Sequence, residues 1–558
     1  MTSARRWNFA AFSIILLLAC LFQTSGAIRH GWISDDAFIS YRYVRHLLDG
    51  HGLVWNVGER PPVEGYTNFL YILVLALGGS LGVPILGWSV LFNLLCSYAT
   101  MAITVWIMAG LVGRLSWVCA VPAFLLGIHQ SFNYWVCGGL ESHLFALLLT
   151  LGTALLVSGH GRLGPLRLAV LSVLFACLSL TRPEGIGVFG GVVVVYLYKL
   201  RGDHARPAKE RIWRGLCLVL PFVVLIGGHV AWRWHYYFDL FPNTYHAKTG
   251  GGLAQILRGV RYLREYIYSN DGILLPLVVL AALPLRGPKE WIVGAMGGWM
   301  TAIIVAVGGD GLLNYRFIVH VLPLAYVCVG VVMVAYLKAF EHRASSTRGL
   351  AMVILALIIG ACFHRQVLVD GYRFSRNWIL RVPAYLAGGA WPPSIETEDD
   401  PLRDAGSFLR ERLPEDTLIA ANPVGRIGFY SELPVLDMLG LCDRTIARTW
   451  VPGMGLGQAG HERYNGVYVL RRRPAVILPG SGMVHPRRYE LDDTRDIQET
   501  WGAHMGLTAA DFDLYARAAF HERYRSKIVE LDDHKYLHLL VRSDLVESLP
   551  WMAVAPTP

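Results

Sequence analysis

Uninterrupted apolar runs alternate with short basic segments over roughly the first two thirds of the chain. Phe12 to Phe22, Val170 to Leu180, Leu216 to Ile226 and Ala351 to Ile359 hold no charged residue. Several such runs extend to about 20 residues, the length of a helix that crosses hydrocarbon. A membrane-spanning strand would alternate apolar and polar positions, so the runs predict helices. Spans are expected near 8–27, 87–109, 115–130, 139–157, 168–181, 186–198, 214–234, 273–286, 290–308, 317–337 and 349–364. The first of them follows Arg5 and Arg6. Ser25-Gly26-Ala27 is only a weak cleavage pattern and the run is of spanning length, so a retained anchor is expected rather than a removed signal.

The segment 68–82 is apolar but is cut short by Gly78, Gly79, Gly82 and Pro84. Counted as a span, it would reverse the side of every later basic loop. It is therefore expected as a helix lying along the outer surface, inside one long external loop, 28–86. The basic groups Arg162/Arg167, Lys199 to Arg214, Arg286/Lys289 and Lys338/Arg343/Arg348 then share one side with Arg5 and Arg6. By the positive-inside rule that side is the cytoplasm, which makes this a multi-pass plasma-membrane protein. Five polar segments, 28–86, 130–139, 181–185, 235–272 and 308–316, face outward.

After 365 the pattern changes. Pro392, Pro393 and the acidic stretch Glu396 to Asp400 mark a linker. Beyond it, a helix over Leu402 to Leu413 and short apolar runs at Thr417 to Ala421, Ala475 to Leu478 and Tyr536 to Val541 predict a small α/β domain. The expected fold is thus an all-α polytopic bundle of about eleven spans over 1–364, with a soluble extracytoplasmic α/β domain over 365–558.

Composition agrees with the pattern and removes some alternatives. Of 558 residues, 54% are hydrophobic and 16% charged, with mean hydropathy +0.42. The net charge of +9 resides in the short loops, so topology explains it and no nucleic-acid partner is implied. The nine cysteines fall mostly in apolar runs and offer neither a disulfide framework nor zinc spacing. No metal site or cofactor is expected. Pro452 to Gly457 is glycine-rich, but no suitable strand precedes it, so a nucleotide loop is rejected.

The candidate chemistry collects in the outward segments. Ser34 can cap a helix whose first turn holds Asp35 and Asp36; the pair can deprotonate a hydroxyl or merely complement the helix dipole. Trp55, Asn56, Glu64, Tyr66 and Asn68 offer aromatic, amide and carboxylate groups suited to a sugar. Arg182 and Glu184 sit in a turn with almost no spare residues, and Glu141 begins a helix. Each of these is open to reading as a functional charge or as half of a structural pair. Asn243, Tyr245, His246 and Lys248 precede a basic amphipathic helix fit for a lipid headgroup surface. Asp310, Tyr315 and Arg316 share one external turn, where Arg316 can meet a phosphate or Asp310.

Asp35 to Tyr43, Gly52-Leu53-Val54-Trp55-Asn56 and Glu64 to Leu70 resemble the GT-C glycosyltransferase superfamily, most of all its branch of terminal arabinofuranosyltransferases of actinobacterial cell-wall arabinan. The likeness continues through Gly139-Leu140-Glu141, Leu180 to Gly185, Pro242 to Tyr245, Gly309-Asp310 and Tyr315-Arg316-Phe317. In the tail it touches Asp437 to Leu441 and Gly460-His461-Glu462. The resemblance implies an integral-membrane enzyme that draws a sugar from a polyprenyl phosphate, in the branch decaprenyl-phosphoryl arabinose, and adds it to a cell-envelope glycan. It implies a catalytic role for Asp35 with Asp36 as partner. On their charge and outward position, Arg182, Lys248 and Arg316, beside Tyr315, are expected to stabilise the departing phosphate. Substrate contacts are expected from Arg42, Glu64, Tyr66, Asn68, Glu141, Glu184, Asn243, Tyr245 and Asp310. Cys442 stands where the branch would have Asn, which leaves mannose, aminoarabinose or another sugar as alternatives. A lipid or sugar transporter is the rival outside enzymes; it predicts inverted repeats and midplane charges, whereas these ionisable residues gather at one surface.

Overall fold

The structure, a computed structural model, describes residues 3–158, 163–201, 207–269, 287–341, 400–486, 506–532 and 535–547. The expected spans 273–286 and 349–364 lie outside these residues. Each of the other nine coincides with an apolar helix. Among the described residues four helices are long and apolar enough to cross a membrane: Arg6–His30, Ile85–Val112, Ala208–Tyr237 and Lys289–Val307. Shorter apolar helices cover Trp117–Ile128, Ser142–Ser158, Pro165–Thr181, Glu184–Leu197 and Leu322–Ala335.

The chain divides into two compact units. The first comprises Met1–Ile33, Leu86–His229 and Ile256–Ile395. It is a helical bundle whose interior is filled by large side chains, among them Trp135, Phe132, Phe145 and Phe175. Phe189 stacks on Phe222 at 3.8 Å, which joins the helix Glu184–Arg201 to Ala208–Tyr237. Chain turns here are tight: a Cβ on Gly185 would lie 2.6 Å from the backbone nitrogen of Ser179. Only glycine lets the chain reverse so soon after Arg182.

The second unit comprises Ser34–Ile85, Val230–Gln255 and Glu396–Pro558. It takes in most of the expected external segment 28–86, the first part of 235–272 and the chain from Glu396. The helix Asp35–Leu48 buries Phe38, Tyr41, Arg42 and Tyr43. The helix Phe69–Ser80 has 12 residues, a length of about 18 Å that falls well short of a bilayer core.

The tail supplies a mixed sheet of β1 (Ile419–Ala421), β2 (Val435–Asp437), β3 (Val476–Leu478), β4 (Val484–His485), β5 (Tyr524–Asp532) and β6 (Lys535–Arg542). β1 runs parallel to both β2 and β3, while β6 runs antiparallel to β3, β4 and β5. The first three strands are three residues each, apolar except for Asp437 at the end of β2, and buried throughout, as parallel strands are. Ala420, Leu436, Ile477 and Leu540 pack with Met438, Ile446 and Leu470 into one core. The helix expected at Leu402–Leu413 forms as Pro401–Arg412, with Asp400 accepting a capping bond from the Arg403 amide at 3.2 Å.

Candidate functional site

In the second unit the acidic pair opens the helix Asp35–Leu48. Ser34 occupies the cap position but makes no side-chain capping bond, contrary to its expected role. Asp35 is instead bound to another helix: its Oδ2 accepts from the Gly425 amide at 3.0 Å and its Oδ1 from the Arg426 amide at 2.8 Å. Both donors belong to the first turn of Val424–Ser431, where free amides and the helix dipole favour an anion. The Arg426 guanidinium lies 4.0 Å away, held by Asp400 at 2.7 Å and stacked 4.6 Å over Phe38. Burial raises the Asp35 carboxyl above its ordinary range, against the downward pull of Arg426 and the two amides. Asp36 is half-buried, and no hydrogen bond or ion pair to its carboxylate occurs among the described residues.

Arg42, expected among the substrate contacts, is wholly engaged with protein. Its guanidinium donates to the carbonyls of Trp55 at 2.9 Å, Leu433 at 2.8 Å and Gly428, and to Asn56 Oδ1 at 3.3 Å. Asn56 behaves as an extra sheet residue. Its amide accepts from the nitrogen of Val435 at 2.9 Å and donates to the carbonyl of the same residue at 3.1 Å. β2 is the outer strand of the sheet, so Asn56 and the Trp55 indole, at 3.0 Å from the Val435 carbonyl, close an edge that would otherwise be open.

Glu64, Tyr66, Asn68 and Asn243 are likewise tied up. Glu64 forms a two-pronged pair with Arg233 at 2.6 and 3.1 Å. Its carboxyl is lifted by burial to about 7, against the attraction of Arg233. Tyr66 meets the Tyr237 hydroxyl at 3.0 Å, and Asn68 donates to Ser40 at 3.1 Å. The Asn243 side-chain amide points at the carbonyls of Gly440, Leu441 and Asp443, at 2.9, 3.0 and 3.1 Å. That loop is held from within by Asp437, which accepts from the amides of Leu439, Gly440 and Cys442 at 2.8, 3.1 and 2.7 Å. Tyr245 is exposed and stacked on Phe241 at 4.7 Å. Lys248 is half-buried, its stem passing Gly460, where a Cβ would lie 3.0 Å from Cε.

Cys442 presses on Gly65. A Cβ there would approach Cys442 Cβ to 3.3 Å and the Tyr43 hydroxyl to 3.0 Å, with Cys442 Sγ nearer still. Gly65→Ala is expected to lose about 1–3 kcal/mol of stability through overpacking. Part of that loss should return in Gly65→Ala/Cys442→Ala, measured as the thermal midpoint of the detergent-solubilised chain.

The first unit holds the other candidate charges. Arg182 bonds Glu141 with one terminal nitrogen and Glu184 with the other, at 2.8 Å, and lies 4.4 Å over the ring of Phe317. Arg316 bonds Asp310 through Nε at 2.6 Å. Its two terminal nitrogens meet no protein acceptor among the described residues, although the residue is buried. Tyr315, in the left-handed region at φ 48, starts the short turn Arg316–His320 and packs edge-on against Tyr262 and Tyr266. The carbonyl of Asn314 accepts from the Trp135 indole at 3.1 Å. Among the described residues no group of three His, Cys, Asp or Glu side chains is placed to hold a metal ion.

Sequence reasoning missed Gly425 and Arg426, whose backbone amides hold Asp35. It also missed Arg233, whose only signal was a charge close to the end of an apolar run.

The fold resembles that of solved structures along almost the whole chain. ArnT from Cupriavidus metallidurans bound to undecaprenyl phosphate superposes with a TM-score of 0.51, covering 96% of this chain and 98% of that one at 14% identity. The chain has the GT-C fold. A second GT-C structure, the Archaeoglobus fulgidus oligosaccharyltransferase in complex with zinc and sulfate, matches with a TM-score of 0.50 and 12% identity, covering 94% of this chain and 72% of that one. In sequence, the chain is 29% identical over 285 residues to the terminal beta-(1->2)-arabinofuranosyltransferase of Mycobacterium tuberculosis. That match takes in 47% of this chain and 41% of the relative, so it spans less than half of either. Within the tail, residues 394–529 match a family described as a domain of unknown function, DUF8728. The sequence resemblance to GT-C proteins therefore has counterparts in both sequence and structure comparisons.

Proposed function

We propose that this chain is a membrane glycosyltransferase that moves a sugar from a polyprenyl phosphate to a cell-envelope glycan, acting at the outer face of the plasma membrane. The observation that carries the reading is the unequal state of the acidic pair: Asp35 is fixed by two amides while the Asp36 carboxylate has no partner among the described residues. A fixed neighbour and a free carboxylate suit proton abstraction from a hydroxyl. In the proposed step the acceptor oxygen bonds to the anomeric carbon, the bond from that carbon to the phosphate oxygen breaks, and Asp36 receives the hydroxyl proton. Asp35 acts as a positioning residue, anchoring the head of its helix to Val424–Ser431.

Within the first unit we propose Arg316 as a contact of the donor phosphate. Its two terminal nitrogens meet no acceptor among the described residues and offer a planar fork to an anion. Arg182 has both terminal nitrogens spent on Glu141 and Glu184, so we assign it to the frame of the bundle. We propose D-arabinofuranose on decaprenyl phosphate as the donor and terminal arabinan of arabinogalactan or lipoarabinomannan as the acceptor. The support is the likeness to the M. tuberculosis arabinofuranosyltransferase.

The test is transfer by the purified full chain from radiolabelled decaprenyl-phosphoryl arabinose to a synthetic arabinan, beside a panel of mannosyl and aminoarabinosyl donors. Labelled product from arabinose alone is the expected result; product from another donor would reassign the sugar, and none from any donor would overturn the reading. Arg316→Lys preserves a charge for Asp310 but lacks the planar fork. It should raise the donor KM about tenfold or more, the equivalent of one charge-assisted hydrogen bond, with the thermal midpoint unchanged.

A further inference from the structure

The second unit carries an exposed apolar surface that neither the acidic pair nor the sheet uses. Trp450 is 80% exposed, Leu456 67% and Leu253 71%. Trp234, Phe238 and Phe241 are exposed as well. These residues come from two chain segments that are bonded to each other. Arg463 donates to the carbonyls of Thr249 at 2.9 Å, His246 at 3.2 Å and Thr449. Arg448 bonds Asp239 and the Asn243 side chain. Gly251 lies so near Gly455 that a Cβ would stand 2.7 Å from its Cα. The loop around Trp450 and Leu456 is thus fastened beside Leu253 and the turn after Tyr237.

We propose that this surface is a membrane anchor: the tail's loop 450–456 inserts at the boundary between lipid headgroups and acyl chains. The occupant is identified by continuity. Trp234 lies in the last turn of Ala208–Tyr237, a helix long and apolar enough to span a bilayer, and Phe238 follows it directly. A tryptophan and a phenylalanine at the end of a span belong at the membrane surface. Loop 450–456 is bonded to the residues that follow, so it shares that level. Phe69 packs 5.1 Å from Trp232, and its helix exposes Leu73, Leu77 and then Leu81 along one stripe. A water-soluble surface rarely leaves so many large apolar side chains together. The inference depends on the span and not on which sugar, if any, is transferred.

The test uses the full chain in vesicles of phosphatidylcholine and phosphatidylglycerol. Leu456→Cys and Leu253→Cys are labelled with bimane, Glu415→Cys serves as a water-exposed reference, and the unsubstituted chain gives the labelling background. Doxyl-phosphatidylcholine should quench the label at 456 and 253 several-fold more than at 415, and iodide should do the reverse. Iodide quenching at 456 equal to that at 415 would overturn the anchor. Shielding from both quenchers would also overturn it, in favour of a protein cover.

Discussion

Asp36→Asn is expected to slow sugar transfer by about a hundred- to ten-thousand-fold, the usual worth of a positioned general base. The substitution is nearly isosteric and removes no hydrogen bond to a described residue, so folding and donor affinity should persist. Asp35→Asn should behave differently. One carboxylate oxygen becomes an NH2 group facing the amide of Gly425 or Arg426, and an unsatisfied donor pair costs about 1–3 kcal/mol. A lowered thermal midpoint is therefore expected for Asp35→Asn and an unchanged one for Asp36→Asn. Rates with radiolabelled donor and melting in detergent separate the two. Wild-type turnover by Asp36→Asn would remove it as the base.

The second large effect concerns the fold. Arg182→Met should destabilise the bundle by about 3–5 kcal/mol, the cost of stripping the partner from a buried ion pair. Here two carboxylates are left behind, Glu141 with a side chain 3% exposed and Glu184 with one 11% exposed. Arg182→Met/Glu141→Met should recover much of the loss, because replacing a buried pair by apolar groups is often nearly neutral. The thermal midpoint and the yield of membrane-inserted chain measure both. If Arg182→Met kept its midpoint and lost only donor binding, the arginine would belong with Arg316 at the phosphate.

Much of the helical bundle was legible because membrane spans announce themselves locally, in unbroken apolar runs. The tail strands at Ile419–Ala421, Val476–Leu478 and Lys535–Arg542 were legible for a similar reason, as short apolar runs between polar residues. β2 and β5 were not. Val435-Leu436-Asp437 is too brief to stand out, and Tyr524–Asp532 mixes charges into its pattern.

The acidic pair and the arginines could be picked out as residue types, but not their bonding states. Whether Arg316 or Arg182 keeps nitrogens free depends on neighbours distant in the chain. Asp35 is held by backbone amides, and a backbone amide leaves no mark in a sequence. Arg42, Glu64, Tyr66, Asn68 and Asn243 looked suited to a sugar because they are polar and crowded together. In the structure Arg42, Glu64 and Tyr66 tie the first loop to the segments 400–547 and 230–255, the Asn243 side chain ties 230–255 to the tail, and Asn68 bonds Ser40 within the loop.

The closure of β2 by Asn56 has a consequence for synthesis. The two partners are 379 positions apart, so the early loop leaves the ribosome long before the strand it must cover exists. Until then the Trp55 indole and the Asn56 amide lack Val435, and Arg42 lacks the carbonyls of Gly428 and Leu433. Completion of the unit is a late, non-local event, of the kind that slows folding. A ribosome that stalled before the last quarter of the message would release a chain with its spans made and its acidic helix unmoored.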